Sequence, residues 1–82
     1  MSVKRYDDGS ATDWFNITPN DSIDMTQTTR AIYVGATGNI TANSINGTIL
    51  TLVSVPQGTI LPVRVNRIFA SNTTAANLVG LI

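Results

Sequence analysis

Helix formers are almost missing from this chain: it has no Glu, one Lys and two Gln, while Val, Ile and Thr abound. β-Branched residues suit a pleated, half-buried surface and lose side-chain freedom in a helix. The fold class expected from this is all-β: a small antiparallel meander closing into a sandwich or barrel-like domain, preceded by an irregular N-terminal arm. Eighty-two residues make one domain at most. There is no cysteine and no histidine, so no disulfide staples the fold and a zinc site is hard to build. A chain this small, lacking both staples, gains stability by burying more surface against another chain.

The charge distribution says more than its zero sum. All the acids (Asp7, Asp8, Asp13, Asp21, Asp24) fall in the first 24 residues. From Met25 to Ile82 the charged side chains are Arg30, Arg64 and Arg67. A lone soluble domain mixes both signs over its surface, so an uncharged body is expected to be covered by sister subunits. The three arginines have no acid within the body and are expected to meet Asp side chains of the arm, their own or a neighbour's, or the C-terminal carboxylate. They form no basic stripe, so nucleic acid is not an expected partner. No stretch approaches the roughly 18 apolar residues of a membrane helix. The first eight residues lack the apolar run of a signal peptide, so synthesis in the cytoplasm is expected, without membrane insertion.

The expected boundary lies near Arg30, giving an arm over 1–29 and a β domain over 30–82. In the arm, Trp14–Thr18 and Ile23–Thr26 are candidate short strands among breakers such as Pro19 and Asn20. In the body, strands are expected over 30–34, 39–45, 48–55, 59–69 and 77–82. Asn46-Gly47 reads as a type I′ hairpin turn and Val55-Pro56-Gln57-Gly58 as a type I turn. Pro62 marks an edge or bulge in the long strand. The expected core is Ile32, Val34, Leu61, Val63, Val65, Ile68 and Leu78.

Nucleophilic catalysis has no conventional base here, and Asp7, Asp8 and Asp13 sit in a polar loop with little around them to raise a pKa. That run also lacks the spacing of a calcium loop. No enzyme activity, cofactor or metal is expected. The adjacent pair Trp14-Phe15 is the feature most like a contact site, because neighbours on a strand face opposite ways and one ring can point outward. Trp14, Phe15, Arg30, Arg64 and Arg67 are therefore the candidate partner-contact residues.

The blocks Thr29-Arg30-Ala31-Ile32-Tyr33-Val34-Gly35, Val55-Pro56-Gln57-Gly58-Thr59-Ile60-Leu61-Pro62-Val63-Arg64-Val65 and Thr73-Thr74-Ala75 resemble the spike base proteins of tailed phages and phage-derived gene transfer agents. The resemblance implies a virion structural protein on the capsid surface, at its vertices. It implies a homo-oligomer, pentameric on a five-fold vertex or trimeric under a fibre. It also implies contact with the major capsid protein and with a distal spike or fibre used in host attachment. Two alternatives stand beside it: a tail-associated fibre base, and a small carbohydrate-binding β module.

The apolar ending Leu78-Val79-Gly80-Leu81-Ile82 is expected to be a strand inside the sheet rather than a tail. Deleting the last four residues is expected to abolish cooperative unfolding, as followed by thermal circular dichroism. A truncated chain melting at the wild-type temperature would contradict it.

Overall fold

The computed structural model describes residues 10–82. Asp7, Asp8 and the start of the expected arm lie outside the described residues. The chain is all-β, as its residue usage predicts. Its strands are β1 (Trp14–Asn16), β2 (Ala31–Tyr33), β3 (Gly38–Ser44), β4 (Ile49–Val55), β5 (Ile60–Leu61), β6 (Val65–Ile68) and β7 (Val79–Leu81). They form two antiparallel sheets, a four-stranded one ordered β1-β7-β2-β5 and a three-stranded one ordered β4-β3-β6.

Both sheets contribute to one apolar core of Ile17, Ile32, Val34, Ile40, Val55, Val65, Ile68, Ala75 and Leu78. Five of the expected core residues are in it, and Leu61 and Val63 pack against it half-buried. Ile17, Ile40, Val55 and Ala75 were not expected there. Each sits beside a turn or bulge, where period-two alternation gives no reading of direction.

The departures from expectation lie at the turns. The β3–β4 hairpin closes with Gly47 N–H donating to the Ser44 carbonyl at 2.9 Å, and Gly47 takes φ of +87°. Asn46 is not among the residues with positive φ, so this is a three-residue loop ending in a left-handed glycine rather than a type I′ turn. The Ser44 hydroxyl accepts from the N–H groups of Asn46 and Thr48 and holds that geometry. The next turn falls one residue later than expected: Thr59 N–H donates to the Pro56 carbonyl and Gly58 takes φ of +82°. A positive φ at the third position is the type II requirement.

The expected long strand from Thr59 to Phe69 is two strands in different sheets. Proline has no N–H to give a ladder, and at Pro62 the chain turns, with Val63 N–H bonding to the Leu61 carbonyl at 2.9 Å. β5 thus ends in the first sheet and β6 begins in the second.

The segment expected to be an arm is, from Thr12 onward, packed on the body. β1 pairs with β7, Ile17 enters the core, and the N–H groups of Asn20 and Met25 donate to the carbonyls of Ile68 and Asn66. The expected strand at Ile23–Thr26 does not form. Those residues run as a loop along β6, held by the single Met25–Asn66 backbone bond and the Asp24–Arg67 pair rather than by a ladder. Residues 12–25 thus share the core and the sheet of the residues after 30.

Gly38 opens β3 where the backbone of Thr74 and Ala75 crosses it. A methyl there would sit 2.6 Å from the Thr74 carbonyl carbon, with no flexible side chain to yield. Gly38→Ala is expected to lower unfolding stability by about 1–3 kcal/mol, measured by urea titration. An unchanged midpoint would contradict the close crossing.

Candidate interaction surfaces

Register decides which side chains share a face, because residues directly opposite in an antiparallel pair point the same way. On the first sheet Phe15, Gly80, Ile32 and Leu61 align across the inner face. Gly80 is where the Phe15 ring lies, since a Cβ at that position would be 2.6 Å from the ring carbon Cζ. Phe15, expected as a partner contact, is therefore half-buried and packed on its own core.

The outer face of the same sheet carries Trp14, Leu81 and Ala31 in one row and Asn16, Val79, Tyr33 and Ile60 in the next. Asn16 is the one polar member. Trp14 is 66% exposed, and Tyr33 and Ile60 are also exposed. The outer face of a two-layered β domain is ordinarily polar. A contiguous apolar face on a protein of this size marks an interaction surface.

The second sheet is more polar over its β3 and β6 strands. Its outer face holds a Thr41–Thr51 hydroxyl pair at 2.8 Å, an Asn43–Asn66 amide bond at 2.9 Å, and Arg67. That arginine is bound within its own chain. Its Nε and Nη2 both lie 2.8 Å from Asp24 Oδ1, Nη1 and Nη2 reach the carbonyls of Asp21 and Ser22, and the guanidinium lies 5.5 Å from the Phe69 ring centroid. This is the own-chain pairing with the N-terminal acids that the charge pattern allowed.

The distal half of the β3–β4 hairpin outreaches the first sheet. Ala42, Leu50 and Leu52 point inward by register with Ile40, yet Leu50 is 62% exposed. Between them and the Leu61–Val65 crossover lies an open groove of 180 Å³, lined also by Ile32, Ile40, Ser44, Thr48, Val63 and Arg64. Its walls are almost wholly apolar, and Arg64 supplies their one charge. Arg64 is exposed and, among the described residues, its side chain has no hydrogen bond or ion pair. β4 is also the free edge of its sheet, with Ile49 and Val53 exposed on its other side. Arg30 donates from Nη1 to the Ser10 carbonyl at 3.0 Å.

Of the sequence-expected contact residues, Trp14 and Arg64 are thus open to a partner, while Phe15 and Arg67 serve their own fold. Tyr33, Ile60, Val79, Leu81 and Leu50 were not expected on these surfaces. Only strand register, which a single sequence does not print, could have aligned them. Among the described residues no cluster of His, Cys, Asp or Glu could hold a metal.

No protein-family model and no curated protein matches the chain. A solved structure does: a chain in the "Capsid of native GTA particle computed with C5 symmetry", where GTA denotes a phage-derived gene transfer agent. It is 38% identical over 88% of this chain and 83% of that one, with a TM-score of 0.81. Together with the all-β fold and its apolar outer face, this defines a structural protein of the virion class, and the likeness suggests a structural rather than an enzymatic role. The chain belongs to the family of that gene transfer agent capsid chain.

Asp21 ties the loop before β2 to the turn after β6. Its carboxylate accepts from the Ser71 N–H at 2.9 Å and hydroxyl at 2.8 Å. The backbone bond from Ser71, then the hydroxyl, hold its pKa below the ordinary 3.8. A lowered native pKa means the stabilisation is complete above the unfolded value and is lost as pH falls through the native one. Thermal stability is therefore expected to fall with acid below pH 3.8, and Asp21→Asn to flatten that fall. An identical acid profile in the variant would contradict it.

Proposed function

We propose that this chain is a base subunit for a spike or fibre on the capsid of a phage-like particle. It is made in the host cytoplasm and assembles as a homo-oligomer on the capsid surface. It contacts the major capsid protein, holds a distal spike or fibre protein and so supports attachment to the host. A pentamer is the favoured order and a trimer the second.

The observation that carries this reading is the apolar outer face of Trp14, Ala31, Tyr33, Ile60, Val79 and Leu81 on a member of a capsid protein family. A face of this kind is costly to leave in water, and a permanent partner removes the cost. The scarcity of charge fits as well, because permanent interfaces are depleted of charged residues at their centre.

A second reading rests on Trp14 and Tyr33 lying on one exposed face, as aromatic platforms for sugar rings do. It is the weaker one, because the side chains around them offer one amide, Asn16, to the many hydroxyls of a glycan. Binding on a glycan array with no self-association would favour it.

The test is to purify particles, separate heads from tails and quantify this chain by mass spectrometry against the major capsid protein. The expected result is enrichment with heads, at about one five-fold set per occupied vertex. Recovery with tails would move the role to a tail fibre base, and absence from particles would defeat both.

A further inference from the structure

The groove beside the β3–β4 hairpin and the Trp14 edge are complementary features without partners among the described residues. We infer that they meet between copies: Trp14 of one protomer fills the groove of the next, and Asp13 beside it pairs with that copy's Arg64. This rests on the reading that copies of the chain assemble, and it names the contact.

Size favours a side chain over a small molecule. At 180 Å³ the groove is smaller than the roughly 300–1,000 Å³ of small-molecule sites, and its walls give a ligand almost nothing polar to orient it. A single large apolar side chain is what such a slot accepts. Trp14 is the chain's one tryptophan, 66% exposed, on the strand that forms the edge of its sheet among the described residues.

Position makes the contact intermolecular. β1 carries Trp14 at one edge of the first sheet, and β5, which leads into the groove, forms the other edge. They stand three strand spacings apart, about 14 Å, so a protomer does not fill its own groove. Two different surfaces at opposite edges make a head-to-tail contact, which repeats until the rotation closes a ring.

Charge fixes the register. Asp24 is paired with Arg67, Asp21 with Ser71, and Arg30 reaches the Ser10 carbonyl. Asp13 forms no ion pair within the described residues, its carboxylate accepting the Trp14 N–H at 2.8 Å. Asp13, next to Trp14, and Arg64, in the groove wall, form no ion pair within the described residues and are placed to meet across this contact, where complementary charges set orientation more than affinity.

The chain has no cysteine, which makes the test direct. Asp13→Cys and Arg64→Cys are prepared separately, mixed and oxidised. A covalent dimer is expected in the mixture, and far less of it from either variant alone, since a head-to-tail contact brings position 13 to position 64 and not to itself. In the wild type the Trp14 emission is expected to shift to shorter wavelength on assembly and back on dilution. Trp14→Ala is expected to weaken association by at least about tenfold. Arg64→Asp is expected to impair assembly, and adding Asp13→Arg to restore it. If the wild type assembles while the mixture gives no cross-link and the emission does not move, the contact is wrong and the proposed function stands. If the wild type assembles neither in solution nor on particles, both fall.

Discussion

The buried Thr29 hydroxyl joins the two halves of this fold. It donates to the Val63 carbonyl at 2.9 Å and accepts from the Val65 N–H at 3.2 Å, while the Thr29 N–H bonds to the Val65 carbonyl. Thr29 leads into β2 of the first sheet, and Val65 opens β6 of the second. The chain between β5 and β6 has left one ladder and not yet joined the next, and Thr29 satisfies its polar groups at that crossing. A buried hydroxyl is favourable only when so paired, and no buried side-chain donor or acceptor among the described residues lacks a partner. The crossing sets where the second sheet starts relative to the first.

The two outer faces divide the labour. On the second sheet hydroxyls, amides and an arginine satisfy each other within the chain, with Ile49 and Val53 exposed on the edge strand β4 beside them. On the first, apolar side chains fill every outward position but Asn16. Sheet pairing by β7, the last strand, creates that face: Val79 and Leu81 point outward between β1 and β2, while Gly80 admits the Phe15 ring beneath. A lone domain gains nothing from this arrangement. In the proposed assembly it is one side of a contact.

Residue usage and alternation made the strand content, the terminal strand and most of the core legible. Ile32, Val34, Val65, Ile68 and Leu78 alternate within clean strands, so their direction could be read. Ile17, Ile40 and Val55 could not, because they adjoin loops and the bulge at Ser54, whose φ is +57°. The path of residues 12–29 was misread for a related reason. Its bonds are long-range, to Ile82, Ile68 and Asn66, and local pattern holds no trace of them. Trp14 stood out by its oddity in a polar segment, and its side chain is exposed. The groove was not, since it arises from a mismatch in reach between two sheets.

The central claim is that this domain is made to be covered by copies of itself on a particle. The measurement that tests it most directly is the native mass of the purified chain over a range of concentrations. A discrete closed oligomer, with five copies the favoured number, is the predicted result. A monomer that folds cooperatively and stays monomeric at every concentration would contradict the account.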